Sequence, residues 1–208
     1  MIKKIIFDID NTLMDFPKHF EEEAKKLLDK FNLNITPNDL YKAVGKYETC
    51  GNYTYYEEDK IIDLINNTFS LKLDKSFLEE FFNMYNKLIT PISKETIDTL
   101  KYLKSKYKLY IISNWFTKSQ KSRLKEAGIL EYFDEVYGTD IIPMKPRKES
   151  FMSVIGEDNV DECVMVGDNL EVDIKVPYEI GMKVFHINKH GTSKYPTINK
   201  IEDLKEML

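Results

Sequence analysis

The chain reads as an α/β fold: a parallel sheet interleaved with helices and broken once by an inserted run of helices. Three observations point there. Short apolar, β-branched runs recur along the chain, segments with helical spacing alternate with them, and one long stretch carries no strand pattern. With 208 residues, the chain is long enough for one domain with its own core, or a core plus a smaller insertion, at roughly 100–200 residues per domain.

Ile2–Ile9 is the first such run. Its apolar continuity predicts a strand buried on both faces, ending in acidic and polar residues. From about Phe16 to Pro91 the alternation stops. Phe20, Ala24, Leu27, Leu28 and Phe31 share one face of a helix, and Thr36-Pro37-Asn38 offers the start of a second. Gly51-Asn52 breaks the chain before a third helix, and Phe77, Leu78, Phe81, Phe82, Tyr85 and Leu88 stripe the last. Aromatic stripes at helical spacing read as core. The expected organisation is therefore a core from residues 1–15 and 92–208, with residues 16–91 inserted as a helical domain.

Beyond the insertion, Ile97, Leu100 and Leu103 predict a helix, and Leu109–Ser113 a strand. Gln120, Leu124 and Ala127 predict a helix closed by Gly128, Cys163–Gly167 a buried strand, and Lys183–Ile187 a shorter one. Such alternation implies parallel strands joined by right-handed crossovers.

Composition narrows the function. Hydrophobic residues make up 42% and charged residues 31%, as in ordinary globular proteins. A net charge of -5, with 30 Lys and Arg among 35 Asp and Glu, provides no basic stripe for a nucleic acid polymer. No apolar run approaches the ~20 residues that span a bilayer, so no membrane partner is expected. The N-terminal residues reach acidic side chains before any signal-length segment, so the expected location is the cytoplasm. Cys50 and Cys163 lack disulfide or metal spacing and read as free thiols. His19, His186 and His190 are too scattered for a zinc site and read as solvated or helix-end residues.

The chemistry concentrates at strand ends, where open parallel sheets bind ligands. Asp8-Ile-Asp10-Asn11-Thr12 follows the first strand, and its two carboxylates on alternate residues point roughly alike. One could attack while the other handles a proton or a metal; alone, the pattern could equally cap a turn or bind calcium. Ser113-Asn114 ends the second strand with a hydroxyl and an amide suited to phosphate oxygens, although such pairs are common in turns. Gly167-Asp168-Asn169-Leu170-Glu171-Val172-Asp173 closes the third run with two more acids, for which a metal is a natural partner. Lys145, in Met144-Lys145-Pro146, could neutralise phosphate and carboxylates alike, though a lone Lys-Pro is usually surface loop. The combination, in this order, is far more specific than any member.

Together these residues resemble the four ordered motifs of the haloacid dehalogenase-like hydrolase superfamily: DxDxT at 8–12, Ser113, Lys145 and GDxxxxD at 167–173. The resemblance covers essentially the whole chain. It implies a Rossmann-like core with an α-helical cap of the C1 type, inserted after the first motif. It also implies a nucleophile at Asp8 forming an aspartyl-phosphate, and a general acid–base at Asp10. Ser113, Asn114 and Lys145 would bind phosphate, with amides near Asn11 and Asn114 contributing. Mg2+ would be held by Asp8, the Asp10 carbonyl and Asp168, and Asp173 would orient Lys145 or a metal-bound water.

Asn11 stands where the family usually has Gly, and as a turn-former it can take a left-handed conformation. Pro177 stands where relatives often have Ala, and suits the first position of a short helix ending at Gly181. Dehalogenases lack the second acid of the first motif, so Asp10 argues for phosphate ester hydrolysis. Phosphomutases share every core motif and stay open as an alternative; an idle binding module would have lost a nucleophile or metal ligand, and none is lost. Asp-Asn-Thr-Leu and Gly-Asp-Asn-Leu-x-x-Asp-Ile resemble the subgroup with nucleoside 5′-monophosphate phosphatases, and sugar phosphates and phosphoglycolate compete as substrates. Phe16, Tyr47, Tyr53, Tyr55, Tyr56 and Trp115 are candidates to line the substrate space. The partner expected is a small phosphorylated metabolite, bound by a monomer or homodimer.

Overall fold

The computed structural model describes residues 1–188 and 193–208, and His190 lies outside them. Among the described residues, six parallel strands form one sheet. They are β1 (Lys4–Phe7), β2 (Lys108–Ser113), β3 (Glu135–Gly138), β4 (Cys163–Gly167), β5 (Lys183–Ile187) and β6 (Thr197–Ile198), in the spatial order β3-β2-β1-β4-β5-β6. β1 is central, pairing Lys4 with Lys108 on one side and with Cys163 on the other. All four of its residues are buried, which explains a continuous apolar run without alternation. The strand is shorter than the expected Ile2–Ile9, although the Asp8 amide still reaches the Val166 carbonyl at 3.0 Å.

β3 and β6 were not foreseen. Each is short, and both lie at the sheet's two edges, where partly exposed residues interrupt the apolar pattern.

Alternate residues of the strands feed two cores, one on each face. Ile5, Phe7, Ile111 and Val166 pack with Leu100, Leu103, Leu124 and Leu204, from α5 (Lys94–Lys104), α6 (Thr117–Glu126) and α9 (Leu204–Met207). Ile6, Ile112 and Met165 pack with Phe151, Val154 and Ile155 of α7 (Lys148–Ile155) on the opposite face. Helices on both faces of a parallel sheet make this a Rossmann-like α/β core. α6 ends as expected, with Gly128 at φ +71° just past its last turn.

Between β1 and α5 come only helices: α1 (Phe20–Lys30), α2 (Pro37–Thr49), α3 (Glu58–Phe69) and α4 (Lys75–Tyr85). Thr36 caps α2 through a reciprocal capping box with Asp39. These helices bury their own cluster, including Leu27, Leu40, Ile61, Ile65, Phe77 and Phe81. Trp115, Phe116 and Met144 of the α/β core are inserted into that same cluster. Trp115 lies with ring centroids 5.8 Å from Phe81 and 5.0 Å from Tyr85. Cys50 is exposed and Cys163 buried, both as free thiols.

Candidate active site

The strand order reverses between β1 and β4: the chain runs outward through β2 and β3 on one side of β1, then through β4, β5 and β6 on the other. Such a switch point opens a crevice at the carboxyl ends of the strands. Asp8 leaves β1 there, and Asp168 leaves β4 beside it. The turn after Asp8 is tight. Asn11 takes φ +59°, its amide donates to the Met14 carbonyl at 2.7 Å, and its Oδ1 accepts from the Phe16 amide at 3.0 Å. The left-handed conformation agrees with the sequence reading, and the Asn11 amide itself is engaged within the turn. The turn projects Asp10 back over the strand end, with its side chain 24% exposed.

After β4 the chain makes a π-type turn over Leu170–Ile174, capped by Asn169 Oδ1, which accepts from the Glu171 and Val172 amides. One consequence is that Asp173 folds back onto Gly167. A Cβ on Gly167 would sit 2.4 Å from the Asp173 Cβ, so only glycine leaves room for this approach. α8 (Lys175–Glu179) follows directly, with Pro177 at its third residue and not its first, because the π-type turn supplies the lead-in. Lys145 reaches across from the loop before α7. Its Nζ donates to Asp8 Oδ1 and to Asp173 Oδ1, both at 2.7 Å. Asp173 Oδ2 accepts from the Asn169 amide at 3.1 Å, so both oxygens of Asp173 are engaged.

Beneath Asp168, His186 Nε2 lies 2.9 Å from its backbone oxygen. The expectation of a solvated or helix-end histidine fails for His186, which is buried in β5, whereas His19 is exposed at the start of α1. The short apolar run around His186 was legible as a strand, but a strand position alone does not reveal which neighbour a side chain meets.

Oxygens of Asp8, Asp168 and Asp173 all lie within 4.8 Å of one another. Three carboxylates face one ammonium, leaving an excess of two negative charges. The ionisations reflect that imbalance. Burial, reinforced by Asp173, pushes Asp168 up to about 6. Burial likewise raises Asp8 against the opposing pull of Lys145. Burial works against the Lys145 charge, but Asp173 and Asp8 outweigh it and hold the lysine protonated. With Asp173 committed on both oxygens, Asp8 and Asp168 are the carboxylates able to hold a cation. An all-oxygen donor set with a surplus of two negative charges fits a hard divalent ion.

On the other side of β1, Ser113 Oγ accepts from Gln120 Nε2 at 2.7 Å. Asn114 is linked to Lys145, and its Nδ2 also donates to Glu48 Oε2 at 3.0 Å. Glu48, from α2, accepts from the Tyr56 hydroxyl at 2.6 Å, and burial raises its carboxyl above the usual range. The sequence reading missed Glu48 and Arg123. Arg123 donates to both Asp10 oxygens, at 2.9 and 2.6 Å. A signal was present for Arg123: it precedes Leu124 and follows Gln120 by three, so two polar residues share the side of α6 that the apolar spacing assigns to the core.

A cavity of about 700 Å³ opens above these groups, with Asp8, Asp10, Ser113, Asn114, Lys145, Asp168 and Asp173 in its lining. Of the aromatic candidates, Phe16, Tyr56 and Trp115 line it and Tyr47, Tyr53 and Tyr55 do not; Tyr41 and Tyr85 line it unforeseen. Tyr47 packs instead, stacked on Tyr53 with centroids 3.9 Å apart.

A family model described as haloacid dehalogenase-like hydrolase matches residues 5–187. The chain is 26% identical to the HAD hydrolase YfnB of Bacillus subtilis, over 99% of this chain and 95% of that protein. It is 28% identical to a glyceraldehyde 3-phosphate phosphatase of Methanocaldococcus jannaschii, over 100% and 97%. It is 27% identical to the pyrimidine 5′-nucleotidase YjjG of Escherichia coli, over 98% and 96%. In fold it is similar to a crystal structure of YfnB bound to magnesium, at a TM-score of 0.75 and 23% identity over 99% of this chain and 98% of that one.

Proposed function

The chain belongs to the haloacid dehalogenase-like hydrolases, and from that premise we propose that it hydrolyses the phosphate monoester of a small metabolite through an aspartyl-phosphate on Asp8. One observation carries the reading: the Asp8 carboxylate is held by Lys145 with Asp168 beside it and Asp10 two residues on.

In the first half-reaction an Asp8 oxygen attacks phosphorus and the bond to the ester oxygen breaks. That oxygen leaves with a proton from Asp10. In the second, Asp10 takes a proton from water as the water oxygen attacks the same phosphorus, the acyl–phosphate bond breaks, and Asp8 and inorganic phosphate are released. Lys145 sets the attacking carboxylate in place and offsets phosphate charge, while Ser113 and Asn114 bind its oxygens. Asp173 fixes the Lys145 ammonium.

Magnesium fits the donor set. Asp8, Asp168 and the Asp10 carbonyl would hold it, and it would supply the positive charge that lets one anion approach another. The related proteins named above act on a triose phosphate and on pyrimidine nucleotides. The aromatic lining of the cavity supports a flat leaving group, so nucleoside monophosphates are the first esters to assay.

Phosphate release from a panel of phosphorylated metabolites, with and without magnesium and beside Asp8→Asn, tests the reading. Wild type should turn over at least one ester only with the metal, and Asp8→Asn none. An Asp8→Asn protein as active as wild type overturns the assignment of the nucleophile.

A further inference from the structure

Among the described residues, Arg123 is the largest side chain wholly sealed from solvent. A buried guanidinium is costly unless its donors are satisfied and its charge is paired. Here Nη1 and Nη2 donate to the two Asp10 oxygens, Nη1 also donates to Gln120 Oε1 at 3.0 Å, and Nε donates to the Leu88 carbonyl at 3.1 Å. The guanidinium carbon lies 4.8 Å from the centre of the Tyr85 ring. Gln120 in turn donates to Ser113. One side chain thus joins Asp10, the end of β2 and the segment that closes the helical insertion.

A planar fork bonded to both carboxylate oxygens fixes the plane of that carboxylate, which a single-point lysine contact would not do. We propose that Arg123 is the positioning residue for Asp10, setting the aim of its carboxylate at the ester oxygen and tying that aim to the cap through Tyr85 and Leu88. The inference rests on the reading of Asp10 as proton donor. For this step Asp10 enters protonated, with its proton on the side of a carboxyl oxygen turned away from the guanidinium. As the phosphorus–oxygen bond breaks, its electron pair passes to the ester oxygen, which takes that proton, and Asp10 is left as the carboxylate that Arg123 pairs. A leaving group stable as an anion needs that proton little. A poor one, such as phenol with a tyrosine-like pKa of about 10, needs it much more.

The experiment compares kcat/KM for 4-nitrophenyl phosphate and phenyl phosphate, two aryl esters of similar size, in wild type, Arg123→Lys and Arg123→Met, with Asp8→Asn as control. The parameter kcat/KM covers the steps up to departure of the leaving group, so slow hydrolysis of the acyl phosphate does not mask the effect. Loss on phenyl phosphate should exceed loss on 4-nitrophenyl phosphate by at least about tenfold, a fraction of what a positioned acid contributes. Arg123→Lys should recover part of it. Should Arg123→Met fail to fold, Arg123→Lys carries the comparison alone. Equal losses on the two esters, no loss, or a gain overturns the inference while an inactive Asp8→Asn leaves the phosphatase reading standing. An active Asp8→Asn, or a wild type that releases phosphate from neither these esters nor any of the phosphorylated metabolites, overturns the reading beneath it.

Discussion

The side-chain amide of Asn114 is doubly bonded to the backbone of Lys145: Nδ2 donates to the Lys145 carbonyl at 3.0 Å, and the Lys145 amide donates to Oδ1 at 2.9 Å. The end of β2 and the lysine loop are therefore locked together, and the position of the ammonium between Asp8 and Asp173 depends on a residue that never touches it.

Asn114→Ala removes both bonds and the one to Glu48. The expected outcome is a fall in kcat of about 10–100-fold, since displacements near 1 Å at a reacting centre cost on the order of 10²-fold. The loss of stability should be about 1.5–4.5 kcal/mol for the three hydrogen bonds. Steady-state kinetics and urea unfolding measure the two effects. A variant with wild-type kcat would show that the lysine loop holds its place without Asn114.

Magnesium should stabilise the fold, and more so as pH rises. Asp168 moves from 3.8 unfolded to about 6 folded, so in EDTA the folded chain retains a proton that the unfolded chain has released. Its contribution to stability is present below about 4 and is lost as pH rises towards 6. Cation binding requires the deprotonated carboxylate, so the gain in Tm from adding magnesium should grow across that window. Asp168→Asn should reduce that growth, leaving the part that comes from the raised Asp8 carboxyl. Thermal melts at several pH values with EDTA or magnesium test this, and a gain independent of pH would separate Asp168 from the metal.

Gly167→Ala places a methyl group 2.4 Å from the Asp173 Cβ. The π-type turn must shift, so we expect destabilisation of about 2–3 kcal/mol, in the range of overpacked interiors. Activity should fall with it, because Asp173 holds Lys145. Chemical denaturation and kinetics together give the answer; a stable and fully active variant would mean that the turn yields freely.

Lys4→Met tests the core away from the site. Lys4 Nζ is buried, donates to the Val154 and Ile155 carbonyls at 2.8 Å each, and pairs with Asp158 at 2.9 Å. Losing a charged donor to the last carbonyls of α7 should cost about 1–3 kcal/mol, or roughly 2–12 °C in Tm for a chain of this size. The kcat should be unchanged. Differential scanning calorimetry decides the first expectation and a phosphate-release assay the second.

The central strands and the acids at their ends were readable because burial on both faces leaves an uninterrupted apolar run that stops where polar chemistry starts, as in Ile5–Asp8 and Val164–Asp168. β3 and β6 were not, since edge strands are short and half-exposed. Glu48 and Arg123 escaped for another reason. Glu48 sits on a helix whose spacing marks an ordinary amphipathic segment; on α6 Gln120 and Arg123 stand out as polar residues on the core side, but only three-dimensional packing brings α2 to Asn114 and α6 to Asp10. Sequence spacing also could not separate Tyr56, which lines the cavity, from Tyr47, which packs behind it. Both belong to one aromatic stack whose order is set by tertiary contacts.

Trp115 and Phe116 follow Ser113 and Asn114 at the end of β2 without a spacer; Trp115 is embedded among Phe81, Phe82 and Tyr85, and Phe116 packs on Phe82. The insertion is consequently not a detachable module. A chimera that exchanged only the helices between α/β enzymes of this type would leave two large rings facing a foreign surface. Transplanting substrate preference would require carrying the tail of β2 along with the helices that receive it.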